Sequence, residues 1–77
     1  MVQQLLEYVI SALVDVPEEV DIRRLESERA TTWEIRVAQG DMGKVIGRNG
    51  RVASAIRTVA RAAAGHDGAR IFVEFQD

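Results

Sequence analysis

The sequence has 77 residues, no cysteine and one histidine, and its formal net charge is −2. This length allows one domain, residues 1–77, and excludes a multidomain enzyme. Hydrophobic residues make up 47% of the chain and charged residues 29%, which predicts a folded protein and not a disordered tail. Without cysteine there is no disulfide bridge and almost no structural zinc site. We therefore expect no cofactor and a reducing, cytoplasmic setting, with dimerisation as one way to add to a small core.

The charges are segregated along the chain. Residues 42–66 contain five basic side chains and no Asp or Glu, whereas the remaining residues contain five basic and twelve acidic side chains. The basic ones are Lys44, Arg48, Arg51, Arg57 and Arg61. An acidic protein with such a basic patch can still attract a polyanion to one surface. No apolar run reaches the roughly 18 residues that a membrane span needs, so no membrane partner is expected.

The first fourteen residues carry apolar side chains at spacings of three and four, which is the pattern of a helix with one buried stripe. The stripe consists of Val2, Leu5, Leu6, Val9, Ile10, Leu13 and Val14. Pro17 favours an extended conformation in the residue before it, and Asp15 suits a cap or a turn. We therefore expect a helix over residues 1–14 that ends near residue 15.

Two short segments then alternate apolar and polar residues with the period of half-buried strands. Their apolar members are Val20, Ile22 and Leu25 in the first segment and Trp33, Ile35 and Val37 in the second. The polar connection, residues 26–30, is short, so an antiparallel hairpin is the simplest pairing, although no Asn-Gly or Asp-Gly fixes its turn. Trp33 is expected in the core.

The second half of the chain predicts a short helix, a glycine-containing turn, a long helix and a final strand. Asp41 is placed to cap the short helix, and Gly43 is expected where that helix packs closely. The apolar members of these elements are Met42, Val45 and Ile46, then Val52, Ala55, Ile56, Val59, Ala60 and Ala63, then Ile71, Val73 and Phe75. Gly65 and Gly68 end the long helix. The predicted class is α+β, three strands packed against three helices.

The segment Gly43-Lys44-Val45-Ile46-Gly47-Arg48-Asn49-Gly50-Arg51-Val52 carries the chemistry. Two glycines three positions apart make a turn whose backbone can approach a ligand without obstruction by a Cβ atom. The long helix begins beside this turn, and its first amides lack intrahelical acceptors, so a phosphate there gains hydrogen bonds and the favourable end of the helix dipole. Arg48 and Arg51 add positive charge at the same place.

This pattern resembles the KH domain, whose signature is an Ile-Gly-x-x-Gly turn between two helices, and the resemblance covers the whole chain. The element order, α-β-β-α-α-β, matches the type II arrangement. Residues 41–48 and the small size further resemble the stand-alone bacterial KH proteins of the KhpA family. The resemblance implies single-stranded RNA binding, since GxxG loops clamp about four nucleotides of backbone. It also implies an RNA-chaperone role and a homodimer or a heterodimer with a larger, KhpB-like KH protein.

On this resemblance, the predicted RNA-binding residues lie in and around the turn. They are Lys44, Val45, Ile46, Gly47, Arg48, Asn49, Gly50 and Arg51. An apolar floor for the bases is expected from the two flanking helices and the last strand. No aromatic residue lies in residues 42–61, so base stacking is not available there and the affinity should be modest.

Other interpretations of the same residues remain open. Arg57 and Arg61 extend the positive field only if they face outward, and a plain solvated helix face is about equally expected. Lys44 follows a glycine but lacks the remaining residues of a P-loop. His66 fits a helix C-terminus, and the acidic residues of the hairpin fit a solvated face better than a metal site. No nucleophile and base pair is evident, so an enzyme is not expected. The rival hypothesis is a protein-interaction module without appreciable RNA affinity.

Overall fold

The computed structural model describes residues 1–76 as three helices and one three-stranded sheet, joined by short turns of 3₁₀ helix. The helices are α1 (Val2–Leu13), α2 (Met42–Ile46) and α3 (Arg51–Ala64), and the strands are β1 (Asp21–Glu26), β2 (Thr31–Arg36) and β3 (Ile71–Gln76). This order confirms the predicted α-β-β-α-α-β fold. No helix within residues 1–76 combines the length and the apolar character that crossing a bilayer requires.

The sheet has the order β1-β2-β3, with β2 in the centre. β1 and β2 form the expected antiparallel hairpin, and β3 returns parallel to β2. Ser27 fixes the turn of the hairpin, since its Oγ accepts the backbone N–H of Ala30 and donates to the carbonyl of the same residue. The side chain of Ser27 thus stabilises a turn that contains no Asn-Gly or Asp-Gly pair.

The core lies between one face of the sheet and the three helices. Trp33 is 5% exposed and confirms its predicted place in the core. The buried set draws on every element except β1, and consists of Leu6, Ile10, Val14, Trp33, Ile35, Val45, Ile56, Ala60, Ile71 and Val73. Because α2 and α3 contribute Val45, Ile56 and Ala60 to this core, the turn between them is held at a fixed position on its rim.

Leu25 does not belong to the buried face of β1. It lies beside Thr32 in the register of the hairpin and is 49% exposed. Successive side chains of a strand point to opposite faces, so Leu25 cannot share a face with Ile22, three positions earlier. Ile22, which pairs with buried Ile35, is the member of β1 that packs against the core.

Candidate nucleic-acid interface

The GxxG loop, residues 47–50, adopts a backbone conformation that its glycines make possible. Gly47 and Gly50 have φ angles of +75° and +73°, and Asn49 between them has a φ of +57°. Asn is among the few residues with a side chain that enter this left-handed region readily. The loop is a single tight turn, closed by the backbone N–H of Gly50, which donates to the carbonyl of Gly47 at 3.1 Å.

The N-terminus of α3 opens directly from this turn. No side chain caps it, and its first turn contains no acidic residue. Two backbone amides at this end are already hydrogen-bonded: the N–H of Gly50 donates to the carbonyl of Gly47, and the N–H of Arg51 donates to the carbonyl of Arg48. Arg48 and Arg51 both have exposed side chains. The arrangement therefore presents the positive end of a 14-residue helix to an anion, with two exposed arginines at positions 48 and 51 adding positive charge.

Lys44 lies one turn before the loop, but its ammonium group is occupied by carboxylates. It contacts Asp15, and it lies 3.6 Å from Oδ1 of Asp41. These contacts raise the pKa of Lys44, first through its hydrogen bond to Asp15 and then through both negative charges, against an opposing effect of desolvation. The structure thus places this predicted site residue beside the loop and turns its charge toward α1.

Asp41 joins α2 to the end of α1, and the expectation that it caps the short helix is wrong. Its side chain makes no capping hydrogen bond. Instead, its two carboxylate oxygens accept the backbone N–H groups of Asp15 and Val16, at 3.1 and 3.0 Å. The Asp15 N–H is the main cause that lowers the pKa of Asp41; Val16 and Lys44 act in the same direction and burial opposes them. The tie fixes where α2, and with it the loop, begins.

Arg57 and Arg61 turn toward the free edge of β3. The Nε–H of Arg57 donates to the carbonyl of Val73 at 3.0 Å, and the Nε–H of Arg61 donates to that of Ile71 at 3.3 Å. Arg57 also lies over the ring of Phe75, 5.8 Å from its centroid. The two arginines are therefore neither a plain solvated face nor simply outward-facing charges. Their spacing of four placed them on one side of α3, but nothing in the sequence indicated that a strand edge lies opposite.

The apolar residues predicted to form a floor under the bases fall into two groups, one in the core and one at its rim. Val45 and Ile56 are buried in the core, whereas Met42, Ile46 and Val52 are half-buried beside the loop. Of the eight predicted RNA-binding residues, the structure brings the six from position 46 to position 51 together around the turn. Val45 is buried in the core next to the turn, and the ammonium group of Lys44 is paired with Asp15.

The acidic residues do not assemble into a metal site. Within residues 1–76, no three His, Asp or Glu side chains lie together in a geometry that could hold an ion. Near the loop, the carboxylates of Asp15 and Asp41 face Lys44. The approach to the N-terminus of α3 thus keeps its positive charge.

Comparison with known proteins gives a consistent result. The family described as KhpA/KhpB, KH domain, matches residues 3–75. A protein named RNA-binding protein KhpA from Clostridium acetobutylicum is 49% identical over 72 residues, covering 94% of this chain and 96% of its own. Proteins of the same name from Borreliella burgdorferi and Chlamydia trachomatis are 43% and 36% identical, covering 96% and 97% of this chain and 90% and 96% of their own. No solved structure matches significantly.

Proposed function

This chain belongs to the KhpA/KhpB family of KH domains, and from that membership we propose that it binds single-stranded RNA through its GxxG loop. The observation that carries the proposal is the uncapped start of α3 behind a left-handed turn, with exposed Arg48 in the turn and exposed Arg51 at the first position of the helix. Phosphates of an unpaired strand fit this arrangement. The family is one of binding proteins, and the chain is not an enzyme.

The loop is tested by reversing its charge. Arg48 and Asn49 are replaced together by Asp, which tolerates the left-handed conformation of position 49 about as well as Asn does. Binding of labelled single-stranded RNA of mixed sequence is followed by fluorescence anisotropy at several salt concentrations. For two or three phosphate contacts, we expect the wild-type logarithmic salt slope to be about −1.4 to −2. The variant should lose binding and keep the wild-type circular dichroism spectrum.

The matched control changes the same charge far from the loop. Gln4 and Arg29 are both exposed and line a cleft together with Ala64, the last residue of α3. That places them about 20 Å from the loop, from a rise of 1.5 Å per residue along α3. Replacing both by Asp should leave RNA binding close to that of the wild type. If the loop variant binds as tightly as this control, the assigned loop is wrong.

The rival hypothesis, a protein-interaction module without RNA affinity, makes a different prediction for the wild-type chain. If wild-type protein fails to bind single-stranded RNA even at low salt, the rival stands and RNA binding is rejected. A chaperone or regulatory role, which we propose as the purpose of the binding, fits a loop whose flanking helices, α2 and α3, carry no aromatic residue for stacking. Weak contacts of this kind release a strand quickly, so the protein should accelerate the annealing of two complementary RNAs without remaining on the duplex.

We also propose that the chain forms a homodimer through α1 and α3. The two helices border an apolar groove of about 350 Å³, in which Leu13 and Val59 remain 36% and 46% exposed. The apolar arc of α1 is wider than the core covers, since Leu5 and Val9 also face the groove. Among the residues that the structure describes, Arg51, at one end, is the one charged residue that borders it. A second copy related by a two-fold axis therefore meets apolar surface without opposed charges. A larger KH protein is the alternative occupant.

A further inference from the structure

At its free edge, β3 presents hydrogen-bond donors to a ligand. A strand edge ordinarily presents acceptors as well as donors. β3 pairs with β2 on one side only. On the other side, the carbonyls of Ile71 and Val73 already accept the Nε–H groups of Arg61 and Arg57. A molecule that approaches this edge at Ile71 or Val73 therefore meets a guanidinium group there.

Each guanidinium group keeps most of its donors. Arginine has five N–H donors and no acceptor, and the contact with β3 uses one of them. The structure gives the Nη groups of Arg57 and Arg61 no hydrogen bond or ion pair within residues 1–76. Arg57 is further held by Phe75. Its planar fork is therefore fixed in place before a ligand arrives, which reduces the entropy that binding would otherwise cost.

The arginines lie along the path that a strand held by the GxxG loop would follow. Arg57 and Arg61 follow Arg51 by six and ten residues, or about 9 and 15 Å along the axis of α3. Ser54 and Thr58 share this polar side of the helix, whereas Val59 lies toward α1. A strand with its phosphates at the loop that continued along α3 would bring its next bases to the seam between α3 and β3.

We infer that this seam selects bases by their acceptors and prefers guanine, an inference that rests on the proposed RNA binding. Guanine presents O6 and N7 side by side, which match the two parallel N–H donors of a guanidinium fork. Adenine presents an amino donor beside its N7, and cytosine presents an amino donor as well. Those amino groups find no acceptor on the guanidinium groups that line this edge, since arginine has only donors.

The test compares short RNAs that differ in two central bases. Uridine heptamers carrying GG, AA or CC at the centre, and one carrying 7-deazaguanine in place of both guanines, are titrated with wild-type protein and with the double variant R57K, R61K. We expect GG to bind about five- to tenfold more tightly than AA or CC, from the lower range of discrimination by one bidentate pair. The 7-deaza heptamer, which lacks N7, should lose most of this advantage.

Lysine keeps the positive charge but lacks the planar fork, so R57K, R61K separates base selection from electrostatics. In this variant the preference for the GG heptamer over the AA and CC heptamers should fall to within about twofold. Equal wild-type affinity for GG and AA would overturn the inference and leave RNA binding intact. An undiminished GG preference in R57K, R61K would also overturn it. Failure of the wild-type protein to bind any heptamer rejects the proposed function itself.

Discussion

Gly47 lies so close to Val52 that a Cβ atom at position 47 would come within 2.4 Å of Val52 Cγ2 and 2.8 Å of its Cβ. Gly50, at the other end of the loop, has nothing within 4 Å of the same hypothetical atom. Both glycines have positive φ angles, so the backbone favours glycine at both, whereas packing demands it only at Gly47. The first glycine of the loop is thus fixed by the first turn of α3.

This difference predicts unequal costs of alanine in the two glycine positions. Gly50→Ala should lower the free energy of unfolding by about 1–2 kcal/mol, the cost of a left-handed conformation. Gly47→Ala adds overlap with Val52 to a backbone conformation, φ +75° and ψ 173°, that is nearly restricted to glycine, and should lower it by about 2–4 kcal/mol. Urea denaturation of both variants measures the difference, each acting as the control for the other. Equal losses would contradict the packing explanation.

Gly43 and Gly68 predict opposite effects of the same substitution. The expectation that Gly43 serves close helix packing is wrong, because within residues 1–76 a Cβ placed there would have nothing within 4 Å apart from its chain neighbours and the backbone of its own helix. Gly43→Ala should therefore stabilise the protein by about 0.5–1 kcal/mol through the helix preference of alanine. A Cβ on Gly68 would lie 2.4 Å from the carbonyl oxygen of Arg61. Gly68→Ala should destabilise the protein by about 1–3 kcal/mol. Thermal unfolding of both variants measures the two changes in stability. A loss of stability in Gly43→Ala would contradict the conclusion that position 43 has room for a methyl group.

The carboxylate of Asp41 predicts a loss of stability in acid. Its pKa in the folded protein lies below the ordinary value of 3.8, mainly because Asp15 donates its N–H to the charged form. The stabilisation is therefore fully present above pH 3.8 and is lost as the pH falls through the lower value in the folded state. Asp41→Asn should be less stable at pH 7, since its amide N–H₂ meets a backbone donor. Its stability should also fall less than that of the wild type as the pH is lowered from 7 through 3.8 and below.

Urea denaturation at pH 7 and in acid tests this prediction. Asp67→Asn provides the control, because Asp67 is exposed and belongs to another part of the surface. That variant should keep the wild-type dependence on pH. The assignment fails if Asp41→Asn retains the full acid sensitivity of the wild type.

If the groove between α1 and α3 is the dimer interface, one charged side chain introduced into it should dissociate the dimer. Val59→Glu places a carboxylate in the apolar groove and should convert a particle of twice 8.5 kDa into one of 8.5 kDa. Thr58→Glu adds the same charge at the neighbouring exposed position, away from the groove, and should remain dimeric. Sedimentation equilibrium measures the masses. A wild-type protein that is monomeric at every concentration would reject the homodimer and leave a larger KH protein as the candidate partner.

The helices, the strands and the loop could be predicted because local physics determines them. Apolar spacing of three and four marks α1 and α3, alternation marks β2 and β3, and the glycines of the loop meet a need for positive φ that arises within four residues. Leu25 broke the alternation that placed Ile22 and is exposed, and Val20 and Val37 lie just outside the strands predicted to contain them. The charge run around the loop was equally visible, because it is contiguous in sequence.

What the charged side chains do was decided by contacts between residues distant in sequence. Asp41 could be a cap by local rules, yet it holds Asp15, 26 positions earlier, because α2 packs against the end of α1. Arg57 could be a solvated charge, yet it binds the backbone of Val73, 16 positions later, because β3 folds back beside α3. Periodicity determines which residues share a face, since it depends only on the geometry of one element. Which group lies opposite that face depends on how the elements pack, and only the tertiary structure contains that information.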